Sequence, residues 1–112
     1  MDNKPQKQKT ANHDGHRDRM KERYIKELSF DSFEEHQVLE MLLFYAVPRR
    51  DTNGLAHRMI DEFGSLAGLF DADPLDVAKR CGVSRSTAVL VTMLPDLMKR
   101  YLLSKNGEKP VL

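Results

Sequence analysis

Residues 80–94, RCGVSRSTAVLVTML, decide how this chain folds. The first eight contain two basic side chains, one glycine and three hydroxyl side chains, and an almost unbroken apolar run follows. Glycine accepts positive φ and lets the backbone bend sharply, and serine is a preferred residue at a helix N-cap. The pattern therefore predicts a tight turn that joins two helices, the second of which begins at Ser84.

This turn is also a candidate site for an anion. The N–H groups at the start of a helix have no partner inside the helix, and together they attract a phosphate. Val83 would point inward and anchor the turn. Two interpretations stay open, a phosphate-binding turn and a plain turn between core helices. The candidate phosphate-contacting residues here are Lys79, Arg80, Gly82, Val83, Ser84, Arg85, Ser86 and Thr87.

Apolar periodicity and capping residues predict an all-α chain of about six helices. The first covers about 16–27. The second is capped by Asp31 or Ser32 and stopped by Pro48, with Glu34, Glu35 and Glu40 on its solvent-exposed flank. The third starts with Asp51 or Thr52 as its cap. A short helix follows at 65–70, then one led by Asp73 and Pro74, and then a last helix from Ser84 that Pro95 kinks or breaks.

The two ends of the chain are polar. Residues 1–14 have few aliphatic side chains, so we expect a disordered tail there. Residues 104–112 are typical of a frayed tail or the start of a linker. The formal net charge of +1 hides an uneven distribution, with +3 over residues 1–23, −7 over 24–78 and +5 over 79–112. A protein of neutral average charge can therefore present a basic, anion-binding face.

Several function classes have no support in the sequence. There is no apolar run of about 18 residues, so we expect a cytoplasmic protein without a membrane segment. Cys81 is the single cysteine, and the four histidines lack partners at ligand spacing, so we expect no metal and no cofactor. No set of residues forms a catalytic constellation, which predicts a protein that is not an enzyme and has no small-molecule substrate.

The turn CGVSRSTAVLVTML resembles a helix-hairpin-helix motif, in which an apolar residue, a glycine, another apolar residue and a second glycine precede a helix. Gly82, Val83 and Ala88 match, and Ser84 stands at the second glycine. A hydroxymethyl group there narrows the approach of a phosphate and disfavours positive φ. The longer pattern, from GHRDRMKERYIKE through FEEHQVLEMLLFYAVPRRDTNGLAHRMIDEF to the turn, resembles the N-terminal domain of the RadC family over about 15–103.

The RadC resemblance implies two helix-hairpin-helix units joined by a connector helix, in a cytosolic bacterial protein historically called a DNA repair protein. VPRRDT would be a degenerate first hairpin, in which Arg49, Arg50 and Thr52 contribute charge and a hydroxyl. The resemblance also implies a metal-dependent JAB/MPN domain that would normally follow. No residues after Tyr101 match such a domain, so we expect an excised fragment or a stand-alone helical half.

Two functions follow from these observations. The first is a non-enzymatic, sequence-independent DNA-binding module that contacts backbone phosphates of duplex or branched DNA through its two hairpins. The second is a protein-interaction or dimerisation module that positions a partner or the missing JAB/MPN domain. The incomplete hairpins and the acidic middle of the chain favour the second function, and the basic C-terminal segment favours the first.

Overall fold

The computed structural model describes residues 4–47 and 51–107, with side chains from Gly15 onward. Within these residues there are seven helices and no strand, which confirms the all-α prediction. The helices are α1 (Lys4–Glu27), α2 (Glu35–Ala46), α3 (Thr52–Phe63), α4 (Leu66–Phe70), α5 (Pro74–Cys81), α6 (Arg85–Thr92) and α7 (Leu94–Lys105). None of the helices in this described part is long and apolar enough to cross a membrane.

The chain divides into two compact units, Met1–Ala56 and His57–Leu112, with the boundary inside α3. In the first unit α1 packs on α2. Their shared core contains Met20, Phe33, Met41 and Phe44, with Tyr24 and Val38 packed against it. In the second unit α5 packs on α6, which also contacts α4 and α7. Ala88 and Val91 of α6 are fully buried, so α6 is the central helix of this unit.

Helix α1 begins at Lys4 and therefore includes residues that the sequence analysis assigned to a disordered tail. Arg17 of α1 contacts the C-terminal end of α2. The guanidinium of Arg17 donates to the carbonyl oxygens of Phe44 at 3.2 Å and Val47 at 3.1 Å. It also lies 5.0 Å from the centre of the Phe44 ring. These carbonyls have no acceptor role inside the helix, so the arginine satisfies them.

Helix α2 starts later than the sequence predicted. Its N-cap is Glu34, whose N–H donates to the Gln37 side chain at 2.9 Å, rather than Asp31 or Ser32. Both of those residues are used in the preceding turn. The N–H of Asp31 donates to Ser29 Oγ at 2.9 Å, and Ser32 Oγ accepts from Arg23 at 3.0 Å. The first is a local bond between a side chain and the backbone, which competes with helix formation, and the second ties Ser32 to the Arg23 side chain of α1.

The predicted interruption near Pro95 is confirmed, two residues earlier than the proline. Helix α6 ends at Thr92, Met93 lies between the helices, and α7 starts at Leu94 with Pro95 in its first turn. Proline suits the first turn of a helix because the N–H that it lacks has no partner there. The break divides the predicted last helix into two, so seven helices are present where about six were expected.

Candidate nucleic-acid interface

The α5–α6 turn is built around Gly82. Its φ of 67° and ψ of 34° place it in the left-handed region, and its N–H donates to Ala78 O at 3.1 Å. A Cβ added at Gly82 would meet no atom within 4 Å, so there is room for a side chain at this position. Glycine is favoured here because of the left-handed backbone conformation. This is the usual left-handed end of a helix, and it turns the chain toward α6.

Ser84 does not have the conformation that a second hairpin glycine would need. Its φ is −68° and its ψ is 160°, which any residue adopts. Ser84 is the N-cap of α6, and its Oγ accepts a hydrogen bond from the Thr87 N–H at 3.1 Å. The same hydroxyl lies 3.1 Å from Thr87 Oγ1. Serine at this position therefore starts the helix without backbone strain.

The six residues 82–87 divide into an inner and an outer set. The side chains of Val83 and Thr87 are buried, with 8% and 1% of their surfaces exposed. Gly82, Ser84 and the next two residues are exposed. Val83 therefore anchors the turn as predicted, and the Thr87 hydroxyl, a predicted phosphate contact, faces the protein interior.

Two backbone donors at the start of α6 are available to a ligand. Within the described residues, the N–H groups of Arg85 and Ser86 donate no hydrogen bond. Both residues are exposed, and the positive end of the α6 dipole lies at this point. The side chains of Lys79 and Arg85 are also exposed and form no ion pair among the described residues. Amides and free cations thus lie near the same turn.

Arg80, in contrast, is already used within the protein. Its Nε and Nη2 each lie 3.1 Å from Glu62 Oε2, and Nη2 donates to the Glu62 carbonyl oxygen at 2.9 Å. The guanidinium also lies 4.3 Å from the centre of the Phe63 ring. Arg80 therefore joins α5 to the end of α3, and its predicted phosphate contact would require these bonds to break.

The structure describes only the ends of the first predicted hairpin, Val47 and Asp51–Thr52. Arg49 and Arg50 lie outside the described residues. Thr52 is 4% exposed, and its Oγ1 donates to Glu40 at 3.4 Å. The Asp51 side chain accepts hydrogen bonds from the N–H groups of Asn53 and Gly54 and caps α3, as the sequence predicted. The Thr52 hydroxyl is thus buried against an internal carboxylate, and a phosphate contact, which stays a prediction, would require this bond to break.

The sequence analysis missed a buried carboxylate. Glu40, predicted on an exposed flank, has 0% of its surface exposed. Its carboxylate accepts from Thr52 Oγ1 and Asn53 Nδ2, each at 3.4 Å. His16 Nε2 lies 3.4 Å from Glu40 Oε2 but forms no hydrogen bond. The position of Glu40 in the sequence could have indicated its burial, because it lies between Leu39 and Met41 in a helix that is apolar around most of its girth.

Cys81 has the properties of a packing residue. Burial raises the pKa of its thiol above the ordinary value, and the Glu62 carboxylate raises it further, while Arg80 and Arg58 oppose the shift. A thiol with a raised pKa is a poor nucleophile at neutral pH. In the part of the chain that the structure describes, no group of three His, Cys, Asp or Glu side chains is placed to hold a metal ion.

Comparison with known proteins shows that the chain is similar to a curated bacterial protein. The chain is 31% identical over 83 residues to UPF0758 protein FN0909 of Fusobacterium nucleatum subsp. nucleatum. The match covers 74% of this chain, and the chain spans 35% of the length of that relative. UPF0758 is the RadC family, so the chain is similar to a RadC-family protein over these residues. No family model matches the chain, and no solved structure matches it significantly.

Proposed function

From its similarity to a RadC-family protein, we propose that this chain is a cytoplasmic, non-enzymatic helix-hairpin-helix domain that binds the DNA backbone. It contacts phosphates without reading base edges, and it contributes to DNA repair. The similarity supports the family, and the α5–α6 turn supports the chemistry.

The observation that carries the proposal is the composition of the outer surface of that turn. The amides of Arg85 and Ser86 are unpaired, and the exposed Arg85 and Lys79 side chains supply positive charge. A phosphate oxygen accepts hydrogen bonds from amides at a helix start, where the helix dipole adds a favourable field. A protein that uses only such contacts binds DNA regardless of base sequence.

Ser84 is compatible with this function. Its negative φ removes the need for glycine, and its hydroxyl points to Thr87 rather than away from the helix. The cap uses the Thr87 amide and leaves the amides of Arg85 and Ser86 for a phosphate. Ser84 therefore occupies one N–H donor at the start of α6, that of Thr87, and does not block the access of a phosphate to the other two.

Fluorescence anisotropy with a labelled duplex at several salt concentrations tests the proposal. Neutralising about three to five phosphates predicts a slope between about −2.5 and −5 for the logarithm of the binding constant against the logarithm of salt concentration. A chain that shows no binding at low salt, or binding that does not change with salt, does not use backbone phosphates.

A pair of arginine variants assigns the contact to the turn. Arg85→Gln should weaken binding about tenfold and make the salt slope shallower by about one unit, because one phosphate contact is lost. Arg80→Gln is the matched control. It removes the same charge at a position five residues before Arg85, from a side chain that Glu62 already holds. Equal effects of the two variants would show that only overall charge matters and that the turn makes no specific contact.

A further inference from the structure

Helix α7 has no buried side chain, although half of its residues are apolar or aromatic. It continues an exposed apolar surface that begins on α6, which we name the α6–α7 ridge. The ridge consists of Val89 (49% exposed), Met93 (45%), Leu97 (56%), Met98 (61%), Tyr101 (58%) and Leu102 (49%).

The ridge is continuous along the two helices. Leu97, Met98, Tyr101 and Leu102 fall at i, i+1, i+4 and i+5, so they share one face of α7. The N–H of Met93 donates to Val89 O at 3.0 Å, and that of Leu97 donates to Met93 O at 2.9 Å. These bonds keep the helical spacing through the break between α6 and α7, and they place Val89, Met93 and Leu97 in one row.

Such a surface is unusual on a chain of this size. Single exposed apolar residues are normal, but a contiguous group of large ones marks a site for another molecule. Each side chain of the ridge exposes about half of its surface, and apolar area removed from water contributes roughly 25 cal/mol per Å². Covering the ridge would therefore stabilise a complex.

The charges beside the ridge indicate what covers it. Lys99, Arg100 and Lys105 belong to α7, which has a single acidic residue, Asp96. The Lys105 ammonium lies 5.8 Å from the Tyr101 ring, at the end of the ridge. Pairing two copies of α7 would bring these cations together, and like charges across an interface oppose association. A partner with acidic residues beside its apolar face is complementary.

We propose that the α6–α7 ridge binds an acidic amphipathic helix of a partner protein. The partner's apolar face covers the ridge, and its carboxylates pair with Lys99, Arg100 and Lys105. Met93 and Met98 suit such an interface because their flexible side chains adapt to the shape of a bound helix. This interaction surface is independent of the DNA contacts of the α5–α6 turn.

A designed peptide serves as the probe. It has about 18 residues, enough for an isolated helix to form, with leucine along one face, glutamate elsewhere and a fluorescent label. One control peptide has the same composition in scrambled order, and another has lysine in place of glutamate. The full chain should bind the acidic amphipathic peptide at least tenfold more tightly than either control, as measured by fluorescence anisotropy.

The double variant Leu97→Gln and Met98→Gln should weaken binding of this peptide at least tenfold. Both side chains are exposed, so the variant should keep the circular dichroism spectrum of the parent chain, and its DNA binding should not change. Arg85→Gln is the matched control and should leave peptide binding unaltered. Peptide binding that persists in the double variant, or that is equal for the scrambled peptide, overturns the proposal.

Two further measurements distinguish a protein partner from two other molecules that could cover the ridge, a lipid surface and a second copy of the chain. Vesicles of phosphatidylglycerol and phosphatidylcholine test a lipid surface, and sedimentation velocity over a range of protein concentrations tests a second copy. Vesicle binding without peptide binding, lost in the double variant, would assign the ridge to a membrane and overturn the protein partner. A dimer that the double variant dissociates, again without peptide binding, would assign the ridge to self-association and overturn it equally.

Discussion

At the scale of single residues, Ser84 has the clearest outcome. The sequence placed it at a position where the helix-hairpin-helix pattern has glycine, and glycine there would suggest a left-handed backbone. The structure gives Ser84 an extended conformation and an N-cap hydrogen bond to Thr87. The left-handed residue of the turn is Gly82 alone. One glycine and one capping serine are thus enough to make this turn.

Removing the Ser84 hydroxyl should destabilise α6. Ser84→Ala should lower the free energy of unfolding by about 1 kcal/mol, because the Thr87 N–H loses its acceptor. Urea unfolding followed by circular dichroism measures the change. Ser86→Ala is the matched control, because Ser86 is an exposed serine two residues later that forms no hydrogen bond among the described residues. This variant should change stability by less than about 0.5 kcal/mol. Similar losses in both variants would contradict the capping role.

Arg80 and Arg85 show why residue type alone does not identify a site. Both are basic residues beside the same turn, and no sequence pattern distinguishes them. The Arg80 guanidinium contacts Glu62 and Phe63, whereas Arg85 has no ion pair in the described part of the chain. A local sequence pattern cannot show this difference, because Glu62 is 18 positions away from Arg80 in the chain.

At the scale of helices, the Glu40 cluster connects three elements. Glu40 belongs to α2, His16 to α1, and Thr52 and Asn53 to the first turn of α3. A buried carboxylate is costly unless polar groups surround it, and these three side chains supply them. The cluster fixes where α3 starts relative to α2.

Truncating Glu40 should therefore weaken the fold. Glu40→Ala should lower the free energy of unfolding by about 2 kcal/mol, because Thr52 and Asn53 lose their acceptor in a buried site. Glu40→Gln keeps one acceptor oxygen and should lose less. Urea titration gives both values, with the exposed Glu22→Ala on α1 as the control. A Glu40→Ala variant as stable as the control would show that the carboxylate contributes nothing to stability.

At the scale of the whole molecule, charge segregation and the two kinds of surface define the functional hypothesis. The segment 79–112 carries a net charge of +5 while 24–78 carries −7. The basic segment contains both the α5–α6 turn and the α6–α7 ridge. One is built from amides and cations and suits a phosphate, and the other is apolar and suits a protein helix. The two proposals together predict that DNA and a protein partner bind to different parts of this segment at the same time.

Binding through phosphates predicts indifference to sequence. Duplexes of equal length and unrelated sequence should bind the full chain with dissociation constants within about threefold of each other, because backbone contacts carry no base information. Competition between labelled and unlabelled duplexes at one salt concentration measures the ratio. A preference of tenfold or more for one sequence would require contacts to base edges and would contradict the proposal.

The sequence by itself determined the all-α class, the caps at Asp51, Asp73 and Ser84, and the turn at Gly82, because capping and periodicity depend on neighbours a few residues apart. Only the tertiary structure showed that Glu40 and Thr52 are buried together, that Arg80 is held by Glu62, and that the apolar side of α7 is uncovered. Those features depend on which helices meet, and the residues concerned are 12 and 18 positions apart in the chain.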